Sequence, residues 1–368
     1  MLDEALLDDP DRLQTGDAGE LLRAAATAGA QVRSTAEAAV EAGLAESLRG
    51  ARPRALVLLT RPGVGSSAAS ILRALLGAGC PVPVVAVDAT PPWIGPLDII
   101  VAHTADQGDL VLADSIALAT RRGAQVVLTA PPDGPVAAAA AGRAALLAPR
   151  VAPPPTLALP TALTVGLLVT SALGLLHTDI DAIADELDRE AERNHPHHES
   201  FVSPAKALVL RLAERSPLLL GLDPVATAVA KHAAATLGAH AGLLAVATGY
   251  RAMLAQPALH RAAVAAAAQS DVFRDPFADP LDGPGDTSHQ LLRVLLLAIR
   301  ADDAAGVARQ AATGALATAD ELAPGDEVAG DEPLLAALLA CRFDLAALYL
   351  GLATGTLGGP GLTAPVWA

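Results

Sequence analysis

Short apolar runs alternate with Ala- and Leu-rich stretches along most of this chain, and the alternation predicts its elements. Residues 1 to 50 mix charges with Ala and Leu at helical spacing, as in LLRAAATAGAQVRSTAEAAVEAGLAESL, and predict helix. Ala55 to Leu59 is then an apolar run suited to a buried strand. RPGVGSS follows as a loop, and AASILRALLGAG as a helix ending at glycine. PVPVVAVD predicts a second strand, PPW a turn, and LDIIVAHT a third strand. DSIALATRRGA predicts a helix, QVVLTA a fourth strand and AAAAAGRAALLA another helix. Strands alternating with helices in this way mean βαβ units and a parallel sheet.

The Pro-rich segment VAPPPTLALP interrupts the pattern and reads as a linker. Leu157 to Leu176 carries no charge over 20 residues, a length able to span a bilayer. It contains Pro160, Gly166, Gly174 and several threonines, without a Lys/Arg flank or aromatic belt. A buried helix is therefore the preferred reading, and no membrane association is expected. DIDAIADELDREAERN is a charged amphipathic helix. The alternation then resumes: SPAKALVLRLAE helical, SPLLLGLD strand-like, VATAVAKHAAATLGAHAG helical, GLLAVAT ambiguous, QLLRVLLLAIR a strand, and EPLLAALLACRFDLAALYLGLATG a long closing helix. The expected organisation is a helical segment at 1–50, a first α/β lobe at 51–152, a linker with helices at 153–199, and a second α/β lobe with its closing helix at 200–368.

Composition narrows the function classes. Over 368 residues, 52% are apolar but only 2% aromatic, so the core is built from Ala, Leu and Val. Net charge is -15, and Lys206 and Lys231 are the only lysines. With no basic run, a nucleic-acid surface is excluded. Cys80 and Cys341 lack CxxC or Cys/His spacing and read as small core residues of a reducing compartment. The acidic opening MLDEALLDDPDRL has no basic n-region, so a cytoplasmic protein is expected.

Several segments resemble, in order and spacing, the bifunctional phosphoglucose/phosphomannose isomerase family, whose members carry two sugar-isomerase (SIS) domains. GVGSS (Gly63 to Ser67) stands where that family has a glycine-rich loop, and VDATPPWIGPLDIIVAHT resembles its strand, Trp turn and strand. ATRRGAQVVLTA, ESFVSPAKALVLRLA, VFRDPFADP and ACRFDLAALYLGLATG resemble later segments. The resemblance implies two SIS-type lobes, each a parallel sheet flanked by helices. It also implies a sugar-phosphate ligand, a homodimer, and aldose–ketose isomerisation without a cofactor or metal.

That chemistry needs a phosphate cradle of N–H groups and hydroxyls, a base to move a proton between C1 and C2, and a group to open the ring. Gly63 and Gly65 permit close backbone approach, and Ser66 and Ser67 offer hydroxyls; the competing reading is an ordinary tight turn. The family's second phosphate loop falls on Thr104 to Leu110, where only Thr104 keeps a hydroxyl and Asp106 and Asp109 replace donors by carboxylates. A like charge about 4 Å from a phosphate opposes it by about 4 kcal/mol at an effective dielectric of 20. The family's catalytic Glu falls on Ala239, which cannot act as a base. His240, about 100° round the helix, and His260 are the remaining candidates. Lys206, in the Pro-Ala-Lys match, is a candidate ligand cation. His195, His197 and His198 read as a polar loop rather than a metal site, and Asp275, Asp279 and Asp282 as turn and cap residues. Two functions stay open: an isomerase with altered site residues, or a non-catalytic SIS protein that binds a carbohydrate derivative or a partner enzyme and regulates.

Overall fold

The computed structural model describes residues 2–106, 108–148, 150–269 and 292–357, so VFRDPFADP with Asp275 and Asp279, and also Asp282, lies outside the described residues. The chain divides into two compact units: Glu20–Glu192, and Met1–Gly19 together with Arg193–Ala368. Two short helices, α1 (Glu4–Leu7) and α2 (Pro10–Gly16), open the chain within the discontinuous unit. Each is capped by an aspartate, Asp3 and Asp9, whose carboxylate accepts a backbone N–H of the first turn.

In the continuous unit the elements run α3 (Leu21–Ala25), α4 (Ala28–Glu41), α5 (Leu44–Leu48), β1 (Ala55–Leu59), α6 (Val64–Leu76), β2 (Val84–Val87), β3 (Asp98–His103), α7 (Leu110–Arg121), β4 (Gln125–Thr129), α8 (Pro135–Ala140), β5 (Ala145–Leu147), α9 (Leu159–Ala172) and α10 (Ile180–Arg193). All strands are parallel, in the order β2-β1-β3-β4-β5. β1 and β3 are buried at every position, as helices on both faces require. On one face, Val57, Ile100, Val126 and Leu128 pack with Ile116 and Val136 into a continuous core. Burial stabilises each such side chain by about 1.5–3 kcal/mol. At the amino ends of the strands Arg54 Nε donates to Asp98 Oδ1 at 3.0 Å and lies over the Trp93 ring, while Gly95 N–H donates to Asp98 Oδ2 at 2.8 Å. The PPW turn is thereby pinned to the first residue of β3.

Two local expectations are corrected. AAAAAGRAALLA is not one helix: α8 stops at Ala140, Gly142 turns the chain at φ +68°, and Ala145–Leu147 pairs with β4 as an edge strand. GVGSS is a loop only as far as Gly63, whose φ of +102° suits glycine; Ser66 and Ser67 already lie in the first turn and a half of α6. The uncharged stretch Leu157–Leu176 forms the 14-residue α9, buried at most positions and packed on α4 and α6. That is shorter than a membrane span.

The discontinuous unit continues with α11 (Pro204–Leu212), β6 (Ser216–Gly221), α12 (Pro224–Ala241), β7 (Val246–Gly249), α13 (Tyr250–Leu254), α14 (Pro257–Gln269), β8 (Leu292–Leu297), α15 (Asp303–Ala315), β9 (Asp320–Leu322) and α16 (Glu332–Thr354). Its sheet is parallel in the order β7-β6-β8-β9. α16 is buried from Pro333 to Ala353, with Arg342 and Asp344 as the charged residues of that span, and packs on α11 and α12. It is long and apolar enough to cross a membrane, but its burial marks a core helix. α12 approaches it so closely that a Cβ on Gly351 would lie 2.3 Å from the His240 carbonyl oxygen.

Candidate functional site

In an open parallel sheet the strand order reverses between two neighbouring strands, and the loops leaving their carboxyl ends diverge to leave a crevice where ligands bind. In the continuous unit this point lies between β1 and β3. The loop after β1 leads through Arg61 and Gly63 into α6, and the loop after β3 leads through Thr104 and Asp109 into α7. Gly63, Gly65, Ser66, Ser67, Thr104, Asp106 and Asp109 are thus all brought to one switch point.

The two loops differ in how their helix ends are satisfied. α6 has no side-chain cap: the Ser66 N–H donates to the Gly63 carbonyl at 3.1 Å, and no carboxylate caps this end. α7 is capped by Asp109, whose Oδ1 accepts the Leu112 N–H at 2.9 Å. Its other oxygen, Oδ2, meets Arg61 Nε at 2.6 Å, tying one loop to the other. Within the second loop Thr104 Oγ1 accepts from Asp106 N–H at 3.0 Å, and Asp106 Oδ1 accepts from Gly108 N–H at 2.8 Å. In this second loop the Asp106, Gly108 and Leu112 N–H groups are thus engaged by the chain's own side-chain oxygens.

Against α6 lies a small pocket of about 20 Å³, lined by Thr60, Gly65, His103 and apolar residues of β1, β3, α6 and α9. His103 ends β3, and its Nδ1 lies 2.8 Å from Thr129 Oγ1. Its Nε2 is buried and has no partner among the described residues. The volume suits one water. Burial pushes the His103 imidazole down to about 4, which keeps it neutral near pH 7.

The discontinuous unit has its own switch point, between β6 and β8. Asp223 fills it. One carboxylate oxygen caps α12 by accepting Ala226 N–H at 2.8 Å; the other accepts Ile299 and Arg300 N–H groups, just past β8, at 2.8 and 3.1 Å. Gly221, at the end of β6, sits where a Cβ would be 2.3 Å from the Thr227 nitrogen, so strand and helix close tightly there.

The remaining candidates belong to this second unit. Lys206 is fully buried: Nζ donates to the Pro196 and His198 carbonyls at 2.8 and 2.6 Å and lies 5.3 Å from the centre of the Tyr349 ring. Burial lowers its pKa, with Asp8 opposing. The carbonyls it grips hold the loop carrying His195, His197 and His198, whose first two rings stack at 5.1 Å. Among the described residues no group of three or more His, Cys, Asp or Glu is placed to hold a metal. His240 is buried on the face of α12 toward α16, with Nε2 unpartnered among the described residues. Its pKa is lowered by burial, raised by Asp344 and lowered by His232; the last two are themselves paired at 3.0 Å. His260 is half-buried on a different helix, α14.

Arg61, His103 and Asp223 were not among the sequence candidates. Asp223 stood in a Leu-Asp-Pro start of helix, a signal for a cap but not for its second role.

With this geometry in view, comparison with known proteins gives a class. No protein-family profile and no curated protein matches the sequence. Among solved structures, the chain is similar to tagatose-6-phosphate ketose/aldose isomerase from Escherichia coli (12% identity, 97% of this chain and 96% of that one, TM-score 0.59). It is similar in the same degree to the C-terminal domain of glucosamine-fructose-6-phosphate aminotransferase from Francisella tularensis (10% identity, 93% and 96%, TM-score 0.59). The protein therefore shares the α/β fold of these structures, with two parallel sheets flanked by helices.

Proposed function

We propose that this chain binds a carbohydrate derivative in the β1/β3 crevice and does not carry out aldose–ketose isomerisation, acting as a binding or regulatory protein. The observation that carries this reading is Asp109, both of whose oxygens are engaged, one by the α7 end and one by Arg61. Ala239, where the resemblance puts the family's base, cannot take a proton, and a carboxylate held on both oxygens is no ready substitute. The alternative base, His240, has its free ring nitrogen buried in the core. Lys206, engaged by two carbonyls, acts in this reading as a structural cation rather than a ligand contact.

The test is a calorimetric titration with glucose, mannose, fructose and glucosamine and with their 6-phosphates, followed by NMR product analysis of the same samples. Binding of a sugar in either form without interconversion is expected. Interconversion would overturn the non-catalytic reading, and silence from every sugar would overturn the carbohydrate reading.

A further inference from the structure

Successive residues of β3 face opposite sides of its sheet. Ile100 packs with Ile116 of α7, whereas Val101 and His103 line the pocket against α6 and α9. His103 stands opposite Thr129 of β4 in the register, and its Nδ1 lies 2.8 Å from Thr129 Oγ1. The other ring nitrogen, Nε2, is on the far side of the imidazole. It is turned away from β4, toward the side of β3 on which β1 lies. His103 keeps only 9% of its surface exposed, and Nε2 has no partner among the described residues. A buried polar atom left unpaired is costly, so folded proteins supply it with a partner, commonly an ordered water. The pocket has room for one such group, about 20 Å³. Its polar lining is completed by Thr60, just past β1, and by Gly65 in the first turn of α6, a helix without a side-chain cap.

The geometry points to His103 as a ligand contact: one hydroxyl of the bound carbohydrate replaces a single water in this pocket and hydrogen-bonds to His103 Nε2. This rests on the carbohydrate-binding reading above and names a contact for it. Thr60 and His103 lie at the ends of the two strands that flank the switch point, so the pocket adjoins the crevice. Hydrogen bonding, charge and size all favour a hydroxyl. With Nδ1 engaged by Thr129, Nε2 donates in one tautomer and accepts in the other; a hydroxyl does both and fits either. The ring is neutral near pH 7 and brings no charge to balance a phosphate or carboxylate. The pocket admits one oxygen, whereas a phosphate group brings several.

The experiment takes whichever of glucose, mannose, fructose, glucosamine and their 6-phosphates binds the wild-type chain and titrates it into His103→Asn and His103→Gln. Asparagine places its amide where Nδ1 lies and can keep the Thr129 contact, but has nothing at the Nε2 position. Glutamine places its amide near Nε2 and gives up Thr129. Affinity is expected to fall about tenfold in His103→Asn, as loss of one hydrogen bond requires, and to stay within about threefold of wild type in His103→Gln. The reverse order would make His103 a positioning residue acting through Thr129 and would overturn the inference, as would equal affinities in all three proteins. Nitrogen NMR of the wild-type imidazole gives a readout that needs no variant to fold. The Nε2 resonance is expected to move on saturation with the sugar while Nδ1 stays, and an unmoved Nε2 sinks the inference. Each of these failures leaves the carbohydrate reading standing, whereas absence of binding by every sugar, phosphorylated or free, removes both.

Discussion

Acidification provides a direct probe of the buried imidazole at the end of β3. His103 is held neutral, its value displaced from 6.5 to about 4 by burial. Above pH 6.5 the ring is neutral in both folded and unfolded chains, and its contribution to stability is complete. Between 6.5 and 4 the unfolded chain takes up a proton that the folded chain refuses, so stability falls with falling pH across that window. Each unit of displacement corresponds to about 1.4 kcal/mol, giving about 3 kcal/mol in all, of which about 2 kcal/mol is lost between pH 7 and pH 5. At roughly 2–4 °C per kcal/mol for a unit of this size, the melting temperature drops by about 4–8 °C from this ring alone. His103 Nε2 is buried with no partner among the described residues, so a protonated ring would gain no hydrogen-bond acceptor from the chain there. The assay is urea unfolding of wild type and His103→Asn at several pH values between 7 and 5. Asparagine can still reach Thr129 Oγ1 but does not titrate in this range. The variant is expected to start less stable at pH 7 and to lose less on acidification. Identical pH slopes for the two proteins, or an NMR titration placing His103 near 6.5, would refute the reasoning.

Two further predictions concern packing and the buried lysine. Gly351→Ala puts a Cβ 2.3 Å from a backbone oxygen that cannot swing aside and should cost roughly 1–3 kcal/mol or more, whereas Gly238→Ala, with nothing within 4 Å on the same pair of helices, should stabilise by about 0.5–1 kcal/mol; thermal melts of both read the contrast. Lys206→Met keeps the chain's length but strands the Pro196 and His198 carbonyls, and should destabilise by about 3 kcal/mol in chemical unfolding while leaving sugar affinity unchanged; a selective loss of sugar binding would instead make Lys206 a ligand contact.

The central strands could be read from sequence because they are buried on both faces and so appear as plain apolar runs: ALVLL, DIIVAH and LRVLLL. Ala145–Leu147 was misread because Ala and Leu favour helix, and only pairing with β4 makes them a strand. The helices α13, α14 and α15 and the strand β9 went unread; α15 carries few large apolar residues to reveal its buried face. In the crevice, Thr104, Asp106 and Asp109 were visible as a run of residue types in the wrong place for a phosphate. The Arg61 pairing was not, since it joins residues on separate loops that only the β1–β3 register brings together. The same holds for Asp223: its cap is local and readable, but its grip on residues 299 and 300 depends on β6 lying beside β8.

The unit containing α16 is assembled from segments on either side of residues 20–192, and its parts meet where Asp3 N–H donates to the Ala353 carbonyl at 2.9 Å. A ribosome therefore delivers the two halves of that contact at widely separated times. Residues 20–192 hold every strand of their own sheet and are free to fold as they emerge. The leading helices and the second sheet must wait for α16, and until it arrives they lack the apolar surface that buries them. Closing so long a loop is slow. During that interval the faces of α11 and α12 that α16 covers stay exposed in the nascent chain, so the second unit is completed later than the first.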